Sequence, residues 1–273
     1  MTDVTKSNPL FAEPRHVEGL EDCYFYHTIE LPGLGVQKGH WDLRGRFEDY
    51  IGGIDVRGKS IFDVGAATGF LSFEAERLGA ARVVSFDMSD VRQQKFIPFP
   101  GKLYREDNES WLYYHAITMN KWKNAYWLSH RLLNSRVKAY YGDVYDLPAA
   151  LGQFDVVIAG AILEHLSDPV SALISLARLT RERMVLITPL IQTEEKLARF
   201  EPSADRPADD YTWWTYSVGL YREVLAILGF EIEKISYANY YHEFAARMEE
   251  RPTVVAVRTA QLAAATDNNQ PAD

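Results

Sequence analysis

With 273 residues, the chain can build one large domain or one domain carrying an insert. A formal net charge of −9 argues against a protein made chiefly to grip nucleic acid, and the longest apolar run, Val156–Leu163 interrupted by Gly160, is far short of a membrane span. The one cysteine, Cys23, excludes an internal disulfide and suits a reducing, cytoplasmic setting; the polar start Met1–His16 has no apolar core of the kind a secretory leader needs.

In chain order, residues 1–40 read as an irregular N-terminal extension with Pro9, Pro14, Pro32, Gly33 and Gly35, and a short helix is expected within it. The segment Gln37–Asp42 could form a lid with Trp41 over a ligand, or a simple packing helix. The core domain is expected at 41–258. Its predicted strands are Ser60–Asp63, Arg82–Asp87, Val137–Tyr141, Phe154–Ala159, Arg183–Thr188, Phe230–Tyr237 and Thr253–Arg258. Helices are predicted over Gly69–Leu78, Pro169–Leu179 and Val218–Leu228. Strands alternating with helices imply an α/β fold, with a mostly parallel seven-stranded sheet covered on both faces. The tail 259–273, rich in Ala, Gln, Asn and Asp, is expected to be disordered.

The most informative stretch is Ser60–Phe70. An apolar run ends in Gly65, Ala67 and Gly69, then continues as a helical pattern from Phe70. Small residues let a ligand lie against the backbone, and the helix start offers unpaired N–H groups. Asp63 stands beside that turn. A carboxylate there disfavours a pyrophosphate and favours a ligand with an amine or positive charge. Asp87 ends the second predicted strand, where an acid can hold a ribose diol. The dinucleotide pattern G-x-G-x-x-G is not matched, because the series runs Gly65, Ala67, Phe70.

Asp63-Val64-Gly65-Ala66-Ala67-Thr68-Gly69 resembles the D-x-G-x-x-x-G motif of class I S-adenosylmethionine-dependent methyltransferases, and the spacing to Asp87 fits that family. The resemblance implies a Rossmann-like fold and S-adenosylmethionine as the methyl donor. It implies that Asp87 accepts from the ribose hydroxyls and Met88 lies on the adenine. Asp143 and the Val144 N–H would meet the adenine edge. Gly65 and Ala159, with Asp63 nearby, would face the methionine ammonium, and Gly160 would border the transferred methyl. Taken alone, Asp143 could equally be a turn or cap residue. Leu163–Ala172, Tyr145–Pro148 and Gly39–Arg46 further resemble bacterial enzymes of the tRNA wobble-uridine modification group, many of whose relatives act on small metabolites in secondary metabolism.

Methyl transfer needs a base only where the acceptor carries a proton of high pKa. Candidates are His165, His115 and His242; a histidine in His165's position often only packs or caps. Glu164-His165 resembles part of an E-x-x-E-H metal site, but Ala161 stands where that pattern has its first glutamate, so no metal is expected. Residues 88–140 form a 53-residue insert with nine Lys and Arg against four Asp and Glu and ten aromatic residues. Trp111, Tyr114, His115, Thr118, Met119, Trp122 and Tyr126 share one face at helical spacing, with Asn120, Lys121, Lys123 and Asn124 toward the other. That stripe could be core, or could roof an acceptor pocket.

Trp111, Tyr114, Ala161, Trp214, Tyr216 and Tyr241 are the candidate acceptor contacts, since aromatic walls suit a planar, apolar or cationic acceptor. The expected activity is methylation of a small, aromatic, natural-product type molecule on O, N or C, with no membrane or nucleic-acid partner. A tRNA-modifying enzyme, drawing on the basic insert, and a thioether S-methyltransferase are the alternatives. The ring-rich insert and extension are a candidate homodimer surface.

Overall fold

The computed structural model describes residues 10–93, 109–203 and 212–260, with the side chains of Ser110 and Trp111 excepted. The chain opens on a hairpin, β1 (Ile29–Leu31) and β2 (Gly35–Gln37). The expected helix is absent from the described part of the extension because Pro32-Gly33 makes a turn: Leu34 N–H reaches Leu31 C=O at 3.1 Å, and Gly33 takes φ +76°. The extension is not detached. Val17, Phe25, Ile29 and Leu31 are buried in the same cluster as the first helices of the core.

Next come β3 (Trp41–Asp42), α1 (Phe47–Tyr50), β4 (Ser60–Val64), α2 (Phe70–Arg77) and β5 (Arg82–Met88). The insert contributes α3 (Glu109–Leu132) before β6 (Lys138–Gly142) and β7 (Phe154–Gly160). Then follow α4 (Pro169–Leu179), β8 (Thr180–Ile187), β9 (Leu190–Ile191), β10 (Ala198–Phe200) and β11 (Trp214–Ser217). The chain ends with α5 (Val218–Ile227), β12 (Phe230–His242) and β13 (Arg247–Arg258).

The main sheet has the order β3-β12-β13-β8-β7-β4-β5-β6, with β8, β7, β4, β5 and β6 mutually parallel. This is the Rossmann-like, mostly parallel architecture expected. It has eight strands rather than seven, because Trp41 and Asp42 pair with His242 and Tyr241 at the edge. Two residues are too few to read as a strand from sequence.

Both faces of the sheet are covered. Phe70, Phe73, Tyr126 and Trp127 lie in the cluster on one face, and Leu173, Leu176, Tyr221 and Leu225 in the cluster on the other. Helix α4 starts where its sequence says it should: Asp168 caps the Ser171 N–H at 3.0 Å and Pro169 takes the first turn. Strands β12 and β13 outrun their predicted lengths. They form a long hairpin whose outer half mixes polar and charged residues with tyrosines instead of presenting an apolar run.

The predicted disorder of the tail falls, from residue 261 on, outside the described residues, as does much of the insert before α3. Among the described residues, no helix is long and apolar enough to cross a membrane.

Candidate active site

Because β4, β5, β6 and β7 are parallel, their carboxyl ends lie together, and the sequence-selected residues gather there. Gly65 and Ala66 both donate to Phe86 C=O, at 3.0 and 2.9 Å, which folds the turn over the end of β5. Asp87 then clamps it. One carboxylate oxygen accepts from Ala67 N–H at 2.8 Å and the other from Met88 N–H at 2.7 Å. Burial raises the Asp87 pKa, opposed by these two N–H groups and by the charge of Lys123. Each oxygen keeps a lone pair for a further donor.

Asp63 is fully buried. Its Oδ2 accepts from Ser72 Oγ at 2.6 Å, while Oδ1 has no hydrogen-bond partner among the described residues. Ser72 spends its proton on Asp63, so Ser85 Oγ donates to Ser72 at 2.6 Å, and Tyr126 Oη donates to Ser85 at 2.9 Å. Three hydroxyls thus point in series toward one carboxylate. Burial outweighs them and pushes Asp63 up to about 7. A buried acid with an idle oxygen, next to a turn of small residues held open at positive φ (Gly65 +80°, Ala67 +48°), fits a ligand that brings an ammonium against the backbone.

At the next strand ends, Met88 lies in register with Gly142, and Asp143 Oδ1 accepts from Tyr145 N–H at 3.0 Å. Asp143 is thus a turn aspartate, with its second oxygen left for another donor; Val144 beside it is buried. Ala159 is fully buried beside Val64, and Gly160 sits in register with Ile187. Ala161 takes φ +51°, and its N–H donates to Ile187 C=O at 2.8 Å. A β-carbon on Gly160 would stand 3.5 Å from Tyr50 Oη, so that phenol borders the end of β7.

The expected acceptor contacts lie in different surroundings. Tyr114 is 69% exposed on α3, whereas Lys123, assigned to the solvent side, is 6% exposed. The helix is rotated relative to the predicted stripe: the Lys123 ammonium rests 4.3 Å over the Tyr141 ring and donates to Ser89 C=O at 3.2 Å, which compensates its burial. Tyr216 is a core residue packed 5.5 Å from Tyr221. Trp214 commits its indole N–H to Ser167 C=O at 3.0 Å. Tyr241 stays partly exposed on β12, and Trp111 contributes a position in α3 but no described side chain.

The three candidate histidines come from three separate elements. His165 ends a 3-10 turn, Leu163–His165. His115 lies in α3, where burial lowers its pKa to about 4. His242 accepts from Ala245 N–H through Nδ1 and packs edge-on to Trp41 with ring centroids 4.4 Å apart. Trp41 itself is an edge-strand residue rather than part of a packing helix, and the Arg251 guanidinium lies 4.7 Å over its ring.

Sequence reasoning missed the residues that tie the extension to this site. His27 is buried, donates its backbone N–H to Thr68 Oγ1 at 3.3 Å, and keeps Nδ1 without a partner among the described residues. Burial, then the charge of His40, lowers its pKa to about 3, so it stays neutral. Tyr26 and Tyr50 were missed as well, and Glu164 was noted only as part of an incomplete metal pattern. The two tyrosines carry no motif, and only folding brings the three together. Among the described residues, no cluster of three metal-ligating side chains occurs.

Residues 106–188 match the family model described as a methyltransferase domain, a segment that begins after the glycine turn and Asp87. No curated protein sequence matches. Solved structures with a similar fold include magnesium protoporphyrin IX methyltransferase from Synechocystis PCC 6803 (16% identity, 79% of this chain and 77% of that one, TM-score 0.49). Another is 1,6-didemethyltoxoflavin-N1-methyltransferase from Burkholderia thailandensis (15% identity, 79% and 76% coverage, TM-score 0.46). A third is the N-terminal domain of EvdMO1, solved with S-adenosylhomocysteine and D-fucose (18% identity, 89% and 93% coverage, TM-score 0.49).

The sheet is Rossmann-like, and the matched segment is similar to a methyltransferase domain.

Proposed function

We propose that this chain is an S-adenosylmethionine-dependent methyltransferase that methylates a small acceptor bearing an aromatic ring, received beyond the carboxyl ends of β7 and β8. The observation that carries this reading is the ring of phenols at that end. Tyr50 borders Gly160, Tyr240 packs edge-on to Tyr50 at 5.1 Å with its hydroxyl unpartnered among the described residues, and Tyr26 neighbours Trp122 at 5.4 Å. Aromatic walls with a few idle polar atoms suit a planar ligand.

In this reading Asp87 holds the ribose hydroxyls with its remaining lone pairs, and Asp63 Oδ1 with the Gly65 and Ala159 carbonyls faces the ammonium. Ala67 and Gly69 leave room for the donor's chain. Met88 covers the adenine, Asp143 and Val144 meet its edge, and Trp41 closes the outer side. When bound, the donor supplies an activated methyl on a sulfonium, so the protein's part is alignment and exclusion of water. His165, His242 and His115 remain the candidates to take a proton where the acceptor has one to lose, with His115 held neutral by burial.

The basic insert gives the tRNA reading less support than its sequence promised. Lys123 is buried against Tyr141, Arg131 donates to Val17 C=O at 2.6 Å, and Arg15, which the extension brings to the insert, is bound to Asn120 at 2.7 Å.

The donor half is tested by calorimetry with S-adenosylhomocysteine. Removing the carboxylate in Asp87→Ala deletes two ribose contacts and the clamp on the turn, so affinity is expected to fall about 100-fold or more, from ~1.5–3 kcal/mol per charged hydrogen bond. Unchanged uptake sinks the assignment. The acceptor half is tested by incubating the enzyme with labelled donor and either a metabolite extract or bulk tRNA. Label appearing in small molecules supports the reading, and label in tRNA alone overturns it.

A further inference from the structure

Glu164 sits in the first turn after β7 and is used by nothing described so far. Its neighbours Leu163 and Leu166 are buried in the core, and its C=O accepts from Trp213 N–H at 2.7 Å, so the backbone there is fixed. The side chain is 3% exposed. Its Oε2 has no hydrogen-bond partner among the described residues, and the 3-10 turn it belongs to has no side-chain cap. Among the described residues the carboxylate is neither a helix-capping group nor half of a salt bridge.

Its surroundings are the aromatic hydroxyls at the acceptor end. Charge from Glu164 adds to burial in raising the pKa of Tyr26, Tyr50 and Tyr221, and Tyr50 is the phenol that borders Gly160. Among the described residues, the one cation that Tyr26 and Tyr50 feel is Arg251, and it is occupied: its guanidinium lies over Trp41 and reaches Glu249 at 3.5 Å.

We propose that Glu164 anchors a positively charged nitrogen on the acceptor, which makes the substrate an aromatic molecule carrying an amine or a related cation. This rests on the acceptor reading given above. The choice of a cation over a neutral hydroxyl follows from magnitudes. A buried carboxylate without a partner costs several kcal/mol. A neutral donor returns about 1.5–3 kcal/mol of that through one charge-assisted bond, whereas a cation also cancels the charge, and the surrounding aromatic rings favour it further. A protonated amine has no lone pair to offer a methyl group. The anchored nitrogen is therefore not the methylated atom, and the acceptor carries its nucleophile elsewhere.

The test uses the full chain saturated with S-adenosylhomocysteine and three probes of one shape: phenethylamine, phenethyl alcohol and 3-phenylpropionate. Binding is read by ligand-observed NMR titration. The amine is expected to bind at least ~10-fold more tightly than the alcohol, with the carboxylate weakest. In Glu164→Gln, amine affinity is expected to fall ~10-fold or more and alcohol affinity clearly less, so that the amine preference disappears, while S-adenosylhomocysteine affinity stays unchanged. Equal binding of amine and alcohol to the wild-type protein overturns the proposal without reference to any variant, and so does a Glu164→Gln protein that keeps the amine preference. Failure of the wild-type protein to bind S-adenosylhomocysteine would instead count against the donor site.

Discussion

Asp63→Asn is expected to make the donor-free protein more stable at neutral and alkaline pH while removing most of its affinity for the donor. The folded-state pKa of Asp63 is about 7, against an ordinary 3.8, because the carboxyl is fully buried. Below both values the group is protonated in either state and contributes nothing. As pH rises between them, the unfolded chain loses the proton first, so the folded state loses stability over that window, and the loss levels off above about 7. The total is on the order of 2–4 kcal/mol.

Asparagine cannot ionise, yet its carbonyl can still accept from Ser72, so the variant escapes the loss. Denaturant melts of the two proteins should coincide near the lower end of the window and separate toward alkaline pH, with the variant the more stable. A variant that is less stable than wild type at pH 8 would show that the Ser72–Ser85–Tyr126 relay outweighs burial. Donor binding has the opposite sign. An ammonium prefers the ionised form, so S-adenosylhomocysteine affinity of the wild type should fall about tenfold per pH unit below the Asp63 pKa, and this dependence should vanish in Asp63→Asn.

The grouping of the candidate donor residues was legible because they are written in nearly consecutive positions. Asp63, Gly65, Ala67 and Gly69 lie within one strand–turn–helix unit, and Asp87 at the next strand end. Short loops and parallel pairing force such residues together. Hydrophobic runs located every central strand for the same reason: β4, β7 and β8 are buried on both faces and read as continuous apolar segments.

The acceptor half was not legible. Tyr26, Tyr50, Glu164 and Arg251 come from the extension, α1, the turn after β7 and β13, and no local pattern relates them. The hairpin turn at Pro32-Gly33 and the two-residue pairing of β3 bring the extension in, and both are decided by tertiary contacts. The rotation of α3 had a different cause. The aromatic stripe could be core or a pocket roof by its pattern; the helix buries Tyr126 at its end but leaves Tyr114 exposed, and it also buries Lys123, where Tyr141 and Ser89 provide for the ammonium and Asp87 is near enough to feel its charge.

The other large effect is expected at Gly69. It occupies the position before α2 at φ +88°, and a β-carbon there would lie 2.5 Å from the Phe73 ring and 2.7 Å from the Tyr126 ring. Neither ring can retreat. Both are buried, their centroids are 5.2 Å apart, and Tyr126 is held through its hydroxyl by Ser85. Gly69→Ala therefore adds left-handed strain of about 1–2 kcal/mol to overpacking of about 1–3 kcal/mol.

Gly33→Ala is the matched control. It takes φ +76° with nothing within 4 Å of the added carbon, so it bears only the strain. Denaturant midpoints should rank Gly69→Ala well below Gly33→Ala. Donor affinity should fall only in the former, because displacing Tyr126 disturbs the hydroxyl relay that ends on Asp63. Equal destabilisation by the two substitutions would mean that backbone conformation alone selects glycine at residue 69, and that α2 and α3 do not need the close approach to hold the donor turn in place.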